Sequence, residues 1–149
     1  MIDHFIPQKP EGWSHSIEPN YYLNLVYSCS HCNLAKSNKW PTNDASRPND
    51  GIIGFVNPTT DEYTSLFYRN DVGEIIAVTG STVASYIVKE LNLWLPKHSV
   101  IWRLEKLQIL QKHLETALQF TQDPDISSEM NDVCRDINSL YRQLFSDNE

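Results

Sequence analysis

The opening third of the chain is punctuated as strand, loop, strand and helix, and this order limits the fold more than any other feature. Asp3-His4-Phe5-Ile6-Pro7 is a short extended segment, ended by a proline that keeps the residue before it out of helix. Residues 8 to 20 carry Pro10, Gly12 and Pro19 and read as the connection of a hairpin. Residues 22 to 28 read as the second strand. Residues 30 to 38 read as a short helix that opens at Ser30 and is ended by Pro41. The helix begins inside the run Asn24-Leu25-Val26-Tyr27-Ser28-Cys29-Ser30-His31-Cys32-Asn33-Leu34-Ala35-Lys36, so a CxxC pair, an amide and a lysine are delivered to the same end of the hairpin.

The residue types in these segments suit hydrolysis of a phosphodiester. That reaction needs an attacking water, a base to take its proton and positive charge beside the phosphate. Imidazole titrates near neutrality, so a neutral fraction serves as base at cellular pH. Asp3 adjoins His4. Neighbouring side chains on a strand face opposite ways, but a twist or bulge at a strand end brings both to one site. Magnesium takes one or two carboxylates from protein and fills its shell with water and substrate, so a sparse set of oxygen ligands is adequate. Lys36 lies one helical turn after Asn33, on the same face, in reach of a phosphate.

The Asp3-His4 segment and the Asn24 to Lys36 run, in that order and spacing, resemble the HNH endonucleases. The resemblance implies a ββα-metal finger, with the motif's three named positions at His4, Asn24 and Asn33. It implies His4 as general base, Asp3 and Asn33 as ligands of a divalent metal, magnesium or manganese, and Asn24 as the residue that fixes the hairpin and orients the histidine. Many relatives carry a second histidine where Asn33 stands; an amide oxygen is acceptable to Mg²⁺ or Mn²⁺. Further on, Asn57-Pro58, Asp61, Phe67, Gly73-Glu74-Ile75, Leu91-Asn92-Leu93 and Arg103 are similar to the HNH subfamily found with retrons and Septu-type anti-phage systems, so the resemblance covers roughly residues 2 to 105. Members of that group act beside an ATPase, which implies a DNA substrate, a protein partner and a place in bacterial antiviral defence. Spacing assigns no role to Asn57 or Asp61.

Zinc-containing HNH proteins carry another CxxC before the Asp-His strand. Here Cys29 and Cys32 form the single CxxC and Cys134 is the other cysteine. Two thiols do not close a tetrahedral zinc shell, so structural zinc is not expected from this stretch alone. An upstream start, ligands from a second chain and a zinc-free variant each account for the difference. Redox use of the CxxC is disfavoured, because no thioredoxin-like βαβ pattern surrounds it. His31, His15, His98 and His113 are read as surface or loop residues and Cys134 as a small buried one.

The rest of the chain reads as structure. Residues 42 to 51 form a polar surface loop, and Ile52 to Val56 is a short apolar segment. Tyr63 to Arg69, Asn70-Asp71-Val72-Gly73 and Glu74 to Thr79 read as a hairpin. Ser81 or Thr82 caps a helix with Val83, Ile87, Val88 and Leu91 on one face. Pro96 interrupts before a helix from about Ser99 to Phe120, and Pro124 separates it from a last helix, about Ser127 to Phe145, the two forming an antiparallel pair. The expected fold is α+β, organised as residues 1–47 (the ββα-metal motif), 48–98 (a small antiparallel sheet plus helix completing the nuclease domain) and 99–149 (a helical region).

Charge bears on substrate. The net charge is −7, yet through Arg47 four basic residues (Lys9, Lys36, Lys39, Arg47) balance four acidic ones (Asp3, Glu11, Glu18, Asp44). Duplex binding normally leans on clustered Lys and Arg, so affinity for nucleic acid in general is expected to be low and a partner subunit would deliver the substrate. Trp13 and Tyr21-Tyr22 are placed to stack on bases or to cover a small core, the second being the commoner use. No apolar run approaches the ~20 residues of a membrane span, and three cysteines make no disulfide framework, which points to a cytoplasmic protein. The alternative to a nuclease is an HNH-derived binding module, catalytically impaired, that serves as a partner subunit.

Overall fold

The computed structural model describes residues 1–146 of the 149. The chain forms two compact units, Met1–Asn70 with Ile75–Trp94, and Asp71–Glu74 with the segment from Leu95 onward. The class is α+β: two small antiparallel sheets and a helical C-terminal region.

In the first unit, β1 (Ile2–His4) pairs antiparallel with β2 (Leu25–Tyr27) in the register Ile2↔Tyr27, Asp3↔Val26 and His4↔Leu25. A 3₁₀ turn, Tyr22–Asn24, occupies the start of the stretch expected to be strand. Helix α1 (Ser30–Lys36) follows directly. Cys29 is its cap: the sulfur accepts from the Cys32 N–H at 3.2 Å, satisfying one of the donors a helix start leaves open. The helix ends at Ser37, whose φ of 49° breaks the repeat before Pro41.

This ββα element is too small to hold itself, since a lone hairpin is marginal in water. Phe5 supplies the anchor. Its ring meets Trp40 edge-on with centroids 5.1 Å apart, Trp40 stacks on Phe55, and Phe55 meets Tyr86 of α3 (Thr82–Glu90). Val26, Val56, Leu66, Val83, Ala84, Ile87 and Leu93 complete the core. Gly54, at φ 119°, pairs with Asn49 and lets the chain pass against Pro48. Asp44 and Asp50 order the polar loop by accepting N–H groups of Ser46, and of Ile52 and Ile53.

Two expectations for the middle and the C-terminal part are corrected. Tyr63 lies in a short helix, α2 (Asp61–Ser65), and the hairpin is confined to β3 (Phe67–Arg69) and β4 (Ile75–Ala77). Asp61 and Glu62 in the first turn favour the helix through its dipole. Pro96 and Pro124 do not lie outside the long helices but open them: α4 is Pro96–Leu118 and α5 is Pro124–Ser146. Proline is tolerated there because a first-turn N–H has no intrahelical partner to lose. Ser81 caps α3 as expected. In the second unit α4 and α5 pack through Val100, Leu104, Leu114, Val133, Ile137 and Leu140, and Cys134 is half-buried.

Candidate active site

The hairpin end next to α1 gathers the chemistry. Asp3, His4, Asn33 and Lys36 line one cavity of about 330 Å³, with Gln8, Lys9 and Asn38 at its margin. Alternation along a strand would part Asp3 from His4, but β1 ends at His4 and the Asp3 carboxylate folds back to accept the His4 backbone N–H at 2.7 Å. Both side chains thereby reach the same space.

His4 is set by its ring hydrogen bond. Nε2 lies 2.8 Å from the Pro19 carbonyl oxygen, which only accepts, so the proton resides on Nε2 and the lone pair on Nδ1. Gln8 Nε2 stands 3.0 Å from the same nitrogen; two donors do not bond one another, so with the proton on Nε2 the hydrogen bond is the one to Pro19. Nδ1 makes no hydrogen bond among the described residues, as a general base requires. Neither Gln8 nor Pro19 carried a motif in the sequence. They arrive because the 8–20 loop folds back along β1, and His15 helps hold that loop by bonding the Pro7 carbonyl through Nε2 and accepting the Ile17 N–H on Nδ1.

Asn33 meets Asp3. One terminal atom of its amide stands 3.0 and 3.2 Å from the two carboxylate oxygens. The nitrogen at that position donates to both. The donor set, a carboxylate and an amide beside an imidazole, is of the oxygen-rich kind that suits Mg²⁺ or Mn²⁺. Among the described residues no group of three His, Cys, Asp or Glu side chains converges as a metal cluster, and magnesium asks for none. Cys29 and Cys32 sit at the opening of α1, with Cys29 serving as the helix cap.

Asn24 does not line the cavity. It is buried, accepts the Ile6 N–H on Oδ1 at 2.7 Å and donates from Nδ2 to the Ile6 carbonyl at 3.0 Å, while its own carbonyl takes the Phe5 N–H. This reciprocal pair locks the segment that follows His4, so Asn24 acts by position. Lys36 departs from the expected phosphate contact. Its side chain is buried, Nζ donates to the His4 carbonyl at 2.9 Å and lies 5.9 Å from the centre of the Phe55 ring. Burial lowers its pKa below the ordinary 10.5, and the Asp3 carboxylate pulls it back up. The ammonium supports the strand instead of facing solvent, and Lys9 is the exposed lysine at the rim.

The other histidines also resolve. His113 is exposed, whereas His31 and His98, expected on the surface, are half-buried with Nε2 shielded from solvent. Trp13 packs against the core, and Tyr22 lies in solvent.

Across 97% of its length the chain is 29% identical to the Septu protein PtuB of Bacillus mycoides (strain KBAB4), and it spans 58% of that relative's own length. No protein-family model matches the chain, and no solved structure does. Among the described residues no helix is long and apolar enough to cross a membrane.

Proposed function

We propose that this chain is a metal-dependent HNH endonuclease that hydrolyses phosphodiester bonds of DNA within a bacterial anti-phage defence complex. The observation that carries the reading is the convergence of Asp3, His4 and Asn33 on one cavity, with the His4 Nδ1 lone pair turned loose from the protein. The similarity to the Septu protein PtuB supports the defence role and the protein partner, which we take to be an ATPase subunit.

In this mechanism His4 Nδ1 takes a proton from the attacking water as its oxygen bonds to phosphorus, the phosphodiester P–O bond breaks, and the leaving sugar oxygen takes a proton from solvent. Asp3 and Asn33 would hold a divalent ion, Mg²⁺ or Mn²⁺, whose chemistry is to place positive charge beside the phosphate. The Pro19 carbonyl keeps the proton on Nε2 and so keeps Nδ1 basic. Asn24 and Lys36 fix the backbone that follows the base, through Ile6 and the His4 carbonyl.

The test is cleavage of plasmid and linear DNA with Mn²⁺ or Mg²⁺, by the chain alone and with its co-expressed partner, comparing wild type with His4→Ala. Loss of a positioned base lowers the rate by about 10²- to 10⁴-fold. Cutting that persists unchanged in His4→Ala refutes the assignment of the base. Absence of metal-dependent cutting in both preparations favours the binding-module alternative.

A further inference from the structure

The hairpin carries a second cavity, about 590 Å³, lined by Ile2, Tyr22, Leu23, Leu25, Tyr27 and Asn57 among others. Its volume lies within the range of small-ligand sites, about 300–1,000 Å³. Single exposed apolar side chains need no explanation, but a contiguous group does. Tyr22 is 81% exposed, Tyr27 86% and Leu23 67%, so two aromatic rings stand in water on one small surface. Register ties this surface to the candidate site: Ile2 pairs with Tyr27, and Leu25 pairs with His4. Ile2 and His4 are two residues apart on β1, about 7 Å along the strand. Asn57 and Thr59 form its polar part, and the Thr59 N–H and hydroxyl occupy Asn57 Oδ1, so the amide nitrogen is the donor that Asn57 has left to offer.

We propose that this surface stacks an unpaired base of the DNA strand whose backbone passes His4, so that the substrate is single-stranded or locally opened DNA. The inference rests on the nuclease reading for the identity of the strand. Charge favours it over a duplex. Residues 1 to 47 are electrically balanced, Lys36 is turned into the protein, and duplex affinity depends on neutralising phosphates. Stacking on tyrosine tolerates any base and adds affinity beyond the phosphate contacts, but it needs a base already out of its stack.

The experiment is fluorescence anisotropy of a labelled single-stranded DNA and of the same sequence as a duplex, in chelator so that nothing is cut. The proteins are wild type, Tyr22→Ala/Tyr27→Ala and Tyr22→Phe/Tyr27→Phe. Both tyrosines are exposed, so the core stays intact, and a melting curve verifies this. The expected result is tighter binding of the single strand. Affinity falls roughly 5- to 100-fold per ring in the alanine variant and stays near wild type in the phenylalanine variant. Equal or tighter binding of the duplex, an alanine variant that binds as wild type does, or no binding of either DNA at low salt overturns the proposal. An alanine variant that binds DNA normally but loses a co-purified protein overturns it in favour of a protein interface. The nuclease reading fails separately: tyrosine-dependent binding with no metal-dependent cutting would leave the stacking surface standing and remove the catalysis.

Discussion

Replacing Asn24 tests how the base is held. The side chain makes two hydrogen bonds to one residue, accepting from Ile6 N at 2.7 Å and donating to Ile6 O at 3.0 Å, in a position only 4% exposed. Each bond contributes about 1 kcal/mol net, and stranding its backbone partner away from water adds about 1–3 kcal/mol where burial is complete. Ile6 is half-buried, so water repairs part of the damage and Asn24→Ala is expected to cost about 2–4 kcal/mol. At about 2–4 °C per kcal/mol for a chain of this size, the midpoint falls by roughly 4–16 °C. The local readout is hydrogen exchange of the Ile6 amide, which loses its protection. Asn24→Asp separates the two bonds. Its carboxylate still accepts from Ile6 N but sets a second oxygen against Ile6 O, so the native state favours the protonated acid and raises its pKa above the unfolded value of about 3.9. The sign follows: the aspartate variant is close to wild type below that value and loses stability as pH rises through its raised native pKa. An alanine variant within about 0.5 kcal/mol of wild type with Ile6 still protected, or an aspartate variant without acid rescue, would refute the clamp.

Four further outcomes follow from other residues. Because burial lowers the pKa of Lys36 below 10.5, the unfolded chain binds more protons in the interval between, and the wild type gains stability as pH rises through it; denaturant titrations of Lys36→Met lack this increment. Tyr63, which burial keeps protonated past 10.0, acts in the opposite sense above that pH and is common to both proteins. Asp3→Asn and Asn33→Ala each weaken Mn²⁺ binding more than tenfold, measured by paramagnetic resonance, a loss at least that of disturbing an outer-shell partner (about 10- to 100-fold). Gly54→Ala drives a methyl against the Pro48 carbonyl and within 2.5 Å of Asn49 Cα at a φ of 119°, and costs about 2–5 kcal/mol in thermal or chemical denaturation. Lys9→Ala lowers the salt slope of DNA binding by about 0.7–0.9, whereas Lys36→Met leaves the slope unchanged.

The order strand, strand, helix was legible because its punctuation is local: Pro7, the loop of Pro10, Gly12 and Pro19, and the helix opening at Ser30 act on their own neighbours. The apolar face of α3 was legible for the same reason, since Val83 and Ile87 keep helical spacing and are buried. What escaped was set by competition or by distance. Tyr63 and Phe67 argue for strand, but the acidic first turn at Asp61 and Glu62 carries Tyr63 into a helix. Proline reads equally as a stop or as a first helical residue, and at 96 and 124 the second use applies. The inward turn of Lys36 had no sequence signal at all, because its acceptor is a backbone carbonyl 32 residues away.

That inward turn changes the division of labour at the candidate site. A lysine one turn beyond Asn33 reads as a cation for substrate, yet burying its charge is tolerable only because the His4 carbonyl and the Asp3 carboxylate receive it. The backbone that carries the proposed base is thus held by two buried side chains, Lys36 at the His4 carbonyl and Asn24 at Ile6. In the proposed activity, rigidity of the base is gained at the loss of one positive charge toward DNA. With residues 1 to 47 already balanced, attraction of the phosphate chain falls to the divalent ion and the rim lysine, and neither supplies long-range steering against a net charge of −7. An arrangement of this kind is strong in positioning and weak in capture, which is why the proposed activity calls for a partner that brings the DNA and for a neutral, aromatic surface that holds it once it has come.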